Sequence, residues 1–328
     1  MSVVIFTAVL SSVLCGLYVL LARRWRILDT PNERSSHQSP TPHGGGLPLM
    51  LALAVSLPLA VWCYGPWGPG FASLAGAAFF LMLLGVADDL RGLSVRLRMA
   101  LYGGCCLLAA FLLLQPLPSH GPVLDGVRVT LAALAMLWAL NLYNFMDGID
   151  GIAALQCILA CSGAALLSWG TGGGSEYALF CLLLAASHLG FLVWNWPPAR
   201  LFMGDAGSVP TGFLLAGLAL LGAVQGQLNP LCWLVLLATF VTDASWTLVW
   251  RMATGQAVTQ PHRLHAYQRL SRHWGSHLAV DMLVLAYNGL WLFPLAWALQ
   301  LWPDYGLFLV ILAYLPLLLG MAKIGKFA

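Results

Sequence analysis

The stretch VVIFTAVLSSVLCGLYVLLA at residues 3–22 decides the fold, because it carries no charged residue and is followed at once by Arg23, Arg24 and Arg26. About 20 largely apolar residues in a helix cross the hydrocarbon core of a bilayer, which is roughly 30 Å thick. The positive charges follow the apolar run and do not precede it. The segment is therefore predicted to be a membrane-spanning helix and not a cleaved signal peptide.

Ten further stretches share this length and character, which predicts about 11 spans. They run approximately over residues 47–64, 71–87, 99–115, 129–145, 152–169, 177–194, 209–224, 231–250, 278–300 and 306–322. With 60% hydrophobic and only 8% charged residues, the composition excludes an ordinary water-soluble enzyme and a disordered chain. A closed barrel would show short alternating segments. We therefore predict an all-α polytopic integral membrane protein, with residues 1–328 forming a single transmembrane catalytic domain.

The basic residues predict the orientation, because Lys and Arg concentrate in cytoplasmic loops. If the N-terminus is periplasmic and eleven spans follow, every Lys and Arg except Arg128 falls on the cytoplasmic side. The C-terminus is then cytoplasmic, as are five segments at about residues 23–46, 88–98, 146–151, 195–208 and 251–277. The formal charge of only +3 argues against a nucleic-acid-binding surface.

Acidic residues gather on the same side as the basic ones. The acids predicted in or beside cytoplasmic loops are Asp29, Glu33, Asp88, Asp89, Asp147, Asp150 and Asp205. Acids are not needed for topology and weaken the attraction to anionic lipids, so their position requires another explanation. Carboxylates beside Arg and His suit a divalent cation that carries phosphate groups.

The pair Asp88-Asp89 ends the third predicted span. Neighbouring residues of a helix diverge by about 100°, so the two carboxylates are expected to have separate roles. Taken alone, the pair also fits a solvated helix end with Arg91 as the ionic partner.

The fifth predicted span ends in NLYNFMDGIDG, residues 141–151. Its polar members, Asn141, Asn144, Asp147 and Asp150, recur every three residues and form a polar stripe along one helix end. The two glycines within it allow the backbone to break or to approach a ligand closely. Helix capping or interhelical hydrogen bonding would explain one such side chain but not four, so the stripe is interpreted as part of a functional site.

The segment NWPPARLFMGDAGS at residues 195–208 joins the seventh and eighth predicted spans. Its prolines end one helix, and its glycines allow a tight turn around Asp205. Ser208 is predicted to cap the next helix, whose N-terminal amides favour an anion. This places a carboxylate that could bind a metal beside a helix end that could bind a phosphate.

The loop at residues 251–277 is the longest predicted cytoplasmic segment. If it is helical, His262, His265 and Arg269 lie along one side as a cationic row suited to a diphosphate. A basic surface helix attracted to lipid headgroups is the alternative interpretation.

Together these motifs resemble those of the polyprenyl-phosphate N-acetylhexosamine-1-phosphate transferase superfamily, in particular its O-antigen-initiating bacterial members. The resemblance covers nearly the whole chain. It rests on Asp88-Asp89, residues 141–151, FMGDAGS at 202–208, the His262/His265 loop, and DTPNER at 29–34 leading to PHGGG at 42–46. The loop departs from the pattern, since it reads His-Arg-Leu-His where the peptidoglycan translocase of the superfamily has consecutive histidines. His43 likewise stands where relatives often carry Arg, so the individual phosphate contacts stay open.

The resemblance implies transfer of a sugar 1-phosphate from a UDP-sugar to undecaprenyl phosphate with release of UMP. It implies magnesium, or manganese in its place, with Asp205 as the main ligand and Asp89 beside it. The residues it assigns to the catalytic centre are Asp88, Asp89, Asp147 and Asp150. Those assigned here to substrate or phosphate binding are Asn141, Asn144, His262, Arg263, His265 and Arg269.

The resemblance also implies a place and a substrate class. The protein is expected in the bacterial inner (cytoplasmic) membrane, with its active site facing the cytoplasm. The sugar is expected to be GlcNAc or a 6-deoxy relative such as FucNAc or QuiNAc, and the reaction the first membrane step of O-antigen and lipopolysaccharide synthesis. The expected partners are undecaprenyl phosphate, the UDP-N-acetyl sugar and the bilayer, with no nucleic acid, and a homodimer is left open.

The chemistry of the lipid phosphate bears on whether the reaction needs a general base. The second pKa of a phosphate monoester is near 6, so most of a lipid phosphate is already a dianion and gains little from a general base. Asp88 is therefore ranked as a positioning or metal-bridging group above a proton acceptor. Direct attack and a covalent aspartyl intermediate both stay open. The chief alternative function is an ion-coupled secondary transporter, which would place its carboxylates near the middle of the membrane.

Overall fold

The computed structural model describes residues 1–29, 40–170, 172, 174–256 and 262–325. In chain order its helices are α1 (Ser2–Trp25), α2 (Gly46–Tyr64), α3 (Pro69–Arg91), α4 (Val95–Leu114), α5 (Pro122–Met146), α6 (Ile152–Gly170), α7 (Ser175–Asn195), α8 (Asp205–Val224), α9 (Pro230–Leu236), α10 (Ala238–Ala253), α11 (Ala266–Trp274), α12 (His277–Tyr287), α13 (Phe293–Leu301) and α14 (Gly306–Ile324). A π-helical turn at Asn288–Leu292 joins α12 to α13, and a 3-10 turn at Pro303–Tyr305 precedes α14.

The described part contains one small sheet. Strand β1 (Leu28–Asp29) pairs antiparallel with β2 (Thr41–Pro42), so that Leu28 lies opposite Pro42. This pairing brings the chain that follows α1 back to the start of α2. It also places His43 beside the helix ends that carry the acidic motifs.

Ten helical segments of the described chain are long and apolar enough to cross a bilayer. They are α1 to α8, the run from α12 to α13, and the 3-10 turn continued by α14. The bent pair α9 and α10 would make up to eleven. All eleven apolar stretches predicted from the sequence are helical, which confirms the all-α polytopic class.

The ninth predicted span is not one continuous helix, which corrects the sequence interpretation. Helices α9 and α10 meet at Leu237 with a bend of 74°. The buried side chain of Gln156 lies at the break, where its Nε2 donates to the carbonyl of Leu236 at 2.8 Å and its Oε1 accepts from Thr239. A backbone carbonyl released by a helix break in an apolar setting needs such a partner. Gln156, on α6, supplies it from outside the helix that breaks.

Helices α6, α7 and α8 form the centre of the molecule. In α6 and α8, 72% of the most apolar window is buried inside the protein, against 17% in α5. The outer helices expose large apolar side chains such as Leu131, Leu134 and Phe308. The exposed apolar faces suit contact with lipid, and the centre holds the ends of the motif-bearing helices in place.

Glycine residues allow the start of α8 to lie close to α2 and α3. A Cβ added at Gly46 would lie 2.0 Å from the backbone nitrogen of Gly207, and one added at Gly85 would lie 2.5 Å from the carbonyl oxygen of Asp205. Only glycine permits these approaches. Because Gly85 precedes Asp88 by less than one turn, this contact brings the Asp88-Asp89 pair to Asp205.

Candidate active site

The two carboxylates that end α3 have different partners, as their divergence on the helix predicts. Asp88 Oδ1 accepts a hydrogen bond from the backbone amide of Leu93 at 2.6 Å, and its Oδ2 forms an ion pair with Arg98 Nη1. Asp89 turns toward α8 and toward His43, whose Nε2 lies 3.1 Å from Asp89 Oδ1. The partner of Asp88 is therefore Arg98 on α4 and not Arg91, which is exposed.

Asp89 caps α8 from outside that helix. Its Oδ1 lies 3.1 Å from the amide nitrogen of Asp205, and its Oδ2 lies 3.2 Å from that of Ala206. The residue in the N-cap position, Gly204, has no side chain and adopts φ 72°. A carboxylate at a helix N-terminus satisfies free amides and interacts favourably with the helix dipole.

The start of α8 corrects two expectations. The helix begins at Asp205 and not near Val209, so Ser208 lies in its first turn and does not cap it. Ser208 Oγ instead donates to the carbonyl of Gly204 at 3.1 Å. The anion held by the amides of Asp205 and Ala206 is the Asp89 carboxylate, and the predicted phosphate position at this helix end is taken by a protein group.

Asp205 is fixed through both of its carboxylate oxygens. Oδ1 accepts from Asn144 Nδ2 at 2.8 Å, and Oδ2 lies 3.2 Å from Arg98 Nη1. The same Asn144 nitrogen lies 2.8 Å from Ser208 Oγ. The Arg98 guanidinium thus bridges Asp88 and Asp205 from α4, and the two acidic motifs share one cation.

His43 completes this group from the segment that follows β2. Burial lowers the pKa of His43, but the hydrogen bond and the charge of Asp89 outweigh it, so the pKa is raised overall. Its backbone carbonyl accepts from the Tyr18 hydroxyl at 2.8 Å. Asp89 therefore favours the protonated form of His43.

The stripe predicted at residues 141–151 divides into two parts. Asn141, Asn144 and Asp147 line a cavity together with Asp205. Burial raises the pKa of Asp147 to about 7, the charges of Asp205 and Asp89 add to the shift, and His43 opposes it. A carboxyl with this pKa is partly protonated near neutral pH.

Asp150 faces a different environment from the rest of the stripe. Its Oδ2 accepts from the backbone amide of Ala199 at 3.0 Å and lies 3.3 Å from His277 Nδ1. The next residue, Gly151, adopts φ 81° and donates its amide to Asn195 Oδ1 at 3.0 Å. Asp150 is thus connected to the 195–208 segment and to α12. It is not part of the cavity wall, in which Gly148 is the last member of the 141–151 stretch.

The predicted cationic row of His262, His265 and Arg269 does not form. Helix α11 begins at Ala266, so His262 precedes it, and the two histidine rings stack with centroids 5.0 Å apart. Both histidines line the cavity. Burial lowers the pKa of His262 to about 4, with the charges of His265 and Arg251 acting in the same direction, so this imidazole is neutral. Arg269 points elsewhere, because its Nη1 donates to the carbonyl of Gly325 at 3.2 Å.

The sequence does not predict three residues as members of the site. They are Arg98, Tyr102 and Asp243. The sequence assigns Arg98 only to the cytoplasmic side, although a cationic residue ten positions after Asp88 could have indicated an ion pair between two helices. Tyr102 lines the cavity with Arg98. Asp243, buried in α10, accepts from His265 Nδ1 at 3.1 Å and from the amides of Ala266 and Tyr267, and so caps α11.

One predicted feature falls partly outside the described residues, and another lies away from the cavity. Glu33 and most of the DTPNER segment at 29–34 belong to the undescribed range 30–39. Arg263 is described, but it is not part of the cavity wall. Its carbonyl accepts from Arg272 at 3.0 Å.

The cavity has a volume of about 730 Å³ and unites polar and apolar surfaces. Its polar wall includes Arg98, Asn144, Asp147 and Asp205. Its apolar wall includes Met99 of α4 and Leu134, Leu137 and Trp138 of α5. A ligand held there would meet carboxylates and a guanidinium on one part and hydrocarbon on another.

Comparison with known proteins identifies the family of the chain. A sequence profile of the family "Glycosyl transferase family 4" matches residues 71–223, the range that contains Asp88, Asn144 and Asp205. The chain is 30% identical over 321 residues to a decaprenyl-phosphate N-acetylglucosaminephosphotransferase of Mycobacterium leprae, covering 86% of this chain and 79% of that protein.

Two other relatives carry related names. A probable undecaprenyl-phosphate N-acetylglucosaminyl 1-phosphate transferase of Bacillus subtilis is 26% identical over 258 residues, covering 76% of this chain and 71% of the relative. A phospho-N-acetylmuramoyl-pentapeptide-transferase of a Synechococcus species is 33% identical over 249 residues, covering 69% and 70%. With the acidic motifs joined at one set of helix ends and these similarities along most of its length, the chain belongs to the polyprenyl-phosphate N-acetylhexosamine-1-phosphate transferase family.

Proposed function

We propose that the protein transfers an N-acetylhexosamine 1-phosphate from a UDP-sugar to undecaprenyl phosphate. An oxygen of the lipid phosphate attacks the phosphorus that bears the sugar, and the bond from that phosphorus to the UMP oxygen breaks. The products are UMP and a sugar joined to the lipid through pyrophosphate. The observation that carries this proposal is the bridge from Arg98 to both Asp88 and Asp205 beside a cavity with an apolar wall.

The two kinds of surface suit the two substrates. A polyprenyl chain requires a hydrocarbon environment, which Leu134, Leu137 and Trp138 provide where α4 and α5 border the cavity. A UDP-sugar comes from water and requires polar contacts, which the loop-facing helix ends provide. A reaction between them belongs where the two surfaces meet.

We propose that the carboxylates of Asp88 and Asp205 would hold a magnesium ion. Their Oδ2 atoms both contact Nη1 of Arg98, so the two anionic oxygens lie close together, and a cation near them would reduce their mutual repulsion. No three His, Cys, Asp or Glu side chains in the described ranges form a group that could hold a metal by themselves. Magnesium commonly binds through one or two carboxylates together with substrate phosphates. When bound, magnesium or manganese would neutralise charge on the reacting phosphates.

Asp89, the other ligand predicted from the sequence, has a role that needs no metal. Both of its oxygens accept backbone amides of α8, and Oδ1 also contacts His43. We propose that Asp89 orients Asp205 and that Asp205 and Asp88 contact the cation. Asn144 Nδ2 donates to the other carboxylate oxygen of Asp205, Oδ1.

Arg98 is the basic residue best placed to hold a phosphate group. Its guanidinium offers several donors in a planar fork, which matches phosphate as well as carboxylate oxygens. Asp88 is engaged with Arg98 and with the amide of Leu93, so we assign it to positioning and not to proton abstraction. The lipid phosphate needs little help as a nucleophile, because its second pKa near 6 leaves it mostly dianionic at neutral pH.

The finer assignments extend this proposal. We propose the bacterial inner membrane as location, with the site open to the cytoplasm, and an N-acetylhexosamine of the GlcNAc, FucNAc or QuiNAc type as the sugar. The names of the Bacillus and Mycobacterium relatives support GlcNAc first. A role in initiating O-antigen synthesis follows if the product feeds a surface polysaccharide.

The direct test is UMP release by the purified protein with magnesium, undecaprenyl phosphate and a panel of UDP-N-acetylhexosamines. We expect UMP in amounts equal to the lipid-linked sugar formed, and none when the lipid phosphate is omitted. A panel without any UMP release would contradict the proposal, and an ion-coupled transporter would give that result.

A further inference from the structure

The hydroxyl of Tyr102 differs from those of the other buried tyrosines. Tyr102 is 3% exposed, and its hydroxyl oxygen has no hydrogen-bond partner among the residues that the structure describes. The other buried tyrosines each donate to a backbone carbonyl: Tyr143 to Ala153, Tyr177 to Leu218 and Tyr267 to Phe145. A buried hydroxyl without a partner destabilises a fold, so phenylalanine would serve packing better at this position.

The surroundings of Tyr102 belong to the candidate active site. Tyr102 follows Arg98 by four residues on α4, so the two side chains lie on one face of that helix. Both line the cavity, and the charges of Asp205 and Arg98 act on the Tyr102 hydroxyl. The Oε1 atom of Gln268, in the same cavity wall, also has no partner among the described residues. Two residues that line one cavity therefore each carry a polar atom without a partner in the described protein.

We propose that the Tyr102 hydroxyl donates a hydrogen bond to a phosphate oxygen of a bound substrate. This inference rests on the proposed function and adds a substrate-binding residue to it. A phenolic hydroxyl is a good donor to an anionic oxygen, and Arg98, one turn away, favours the same anion. The phosphate belongs either to the polyprenyl phosphate, whose chain would follow Leu137 and Trp138, or to the diphosphate of the UDP-sugar.

The Tyr102→Phe variant tests this proposal, because it removes the hydroxyl alone. In the absence of substrates its melting temperature should equal or exceed that of the wild type, since the hydroxyl has no partner to lose. Its kcat/KM for UMP release should fall about tenfold, which corresponds to about 1.4 kcal/mol. A rise in KM for undecaprenyl phosphate alone assigns the bond to the lipid phosphate, and a rise in KM for the UDP-sugar alone assigns it to the diphosphate.

Two matched variants serve as controls for Tyr102→Phe. Tyr143→Phe removes a hydroxyl that donates to Ala153 and should lower the melting temperature. Tyr287→Phe removes one that donates to Ala313 outside the cavity wall and should leave the KM values unchanged. A melting temperature of Tyr102→Phe lowered as in Tyr143→Phe, or a kcat/KM within twofold of wild type, would overturn the proposal.

A binding measurement keeps this inference separate from the proposed reaction. Undecaprenyl phosphate and UDP are each added to the wild type and to Tyr102→Phe, and the rise in melting temperature is measured without turnover. A smaller rise in the variant supports the contact even if no UMP is released. Equal rises in both proteins, or no rise in the wild type with either ligand, would contradict it.

Discussion

Asp89 caps the helix that Asp205 begins, with Oδ1 of the first 3.1 Å from the amide nitrogen of the second, although the two residues are 116 positions apart. The cap joins the end of α3 to the start of α8. It means that one acidic motif holds the backbone of the other, so that the two motifs act as one unit.

Asp89→Asn should weaken this cap, because an amide side chain keeps one acceptor oxygen and loses the negative charge. We expect a stability loss of about 1–2 kcal/mol, as for other helix caps, and a loss of turnover of roughly 100-fold because Asp205 shifts. Thermal unfolding and UMP release measure the two effects. Asn229→Ala, which removes the cap that Asn229 Oδ1 gives to α9, is the control. Equal loss of turnover in both variants would show that the cap acts on stability alone.

Arg98→Gln should abolish most activity, since it removes the cation shared by Asp88 and Asp205. We expect a fall in kcat/KM of about 100-fold, and a smaller fall for Arg98→Lys, whose ammonium keeps the charge without the planar fork. Arg91→Gln changes the exposed arginine next to the Asp88-Asp89 pair and should stay within twofold of wild type. If Arg91→Gln were as inactive as Arg98→Gln, the pairing described here would be wrong.

Asp147 should make stability depend on pH. Burial raises its folded pKa from 3.8 to about 7, so between these values the folded state holds a proton that the unfolded state has released. Stability from this group therefore falls as pH rises through that window, by at most about 1.4 kcal/mol per pH unit, and changes no further above pH 7.

The measurement compares the melting temperatures of the wild type and Asp147→Asn across this pH range, without metal or substrates. Asparagine resembles the protonated acid, so the advantage of the variant should grow with pH and level off near 7. A difference that is constant over the whole range would refute the shifted pKa.

Asp243→Ala should detach the start of α11, because the Asp243 carboxylate binds His265 and the amides of Ala266 and Tyr267. We expect a loss of about 2 kcal/mol in stability and a higher KM for the UDP-sugar, as His265 loses its anchor. Thr247→Val removes only the hydroxyl that donates to Asp243 Oδ1 and should affect KM little. An unchanged KM in Asp243→Ala would separate α11 from substrate binding.

The sequence predicts the helices well and their contacts poorly. Continuous apolar runs are a local property, so all eleven predicted stretches are helical in the structure, with a sharp bend in the ninth. The break at Leu237 depends on Gln156, a residue of another helix, and no local pattern reveals it. The sequence predicts the start of α8 too late, near Val209. The cap of this helix comes from Asp89 on α3, which no local pattern reveals.

The sequence predicts which residue types gather near the site, but not which of these side chains contact each other. The periodicity of residues 141–151 predicts one polar stripe. In the structure Asn144 and Asp147 line the cavity, whereas Asp150 binds Ala199 and faces His277. The chain leaves helical geometry after Met146, so the helical period no longer applies there. Arg98 and Asp243 lie outside the motifs because each makes its contacts with other helices, Arg98 with Asp88 and Asp205 and Asp243 with the start of α11.

The central claim is that Asp205 takes part in magnesium-dependent transfer to the lipid phosphate. It is tested most directly by UMP release from the wild type and Asp205→Asn as magnesium is titrated, with both proteins shown to be folded in the same detergent. We expect the wild type to release UMP only with magnesium and undecaprenyl phosphate, and the variant to be slower by about a thousandfold or more at every magnesium concentration. Turnover of the variant close to that of the wild type at saturating magnesium would contradict the claim.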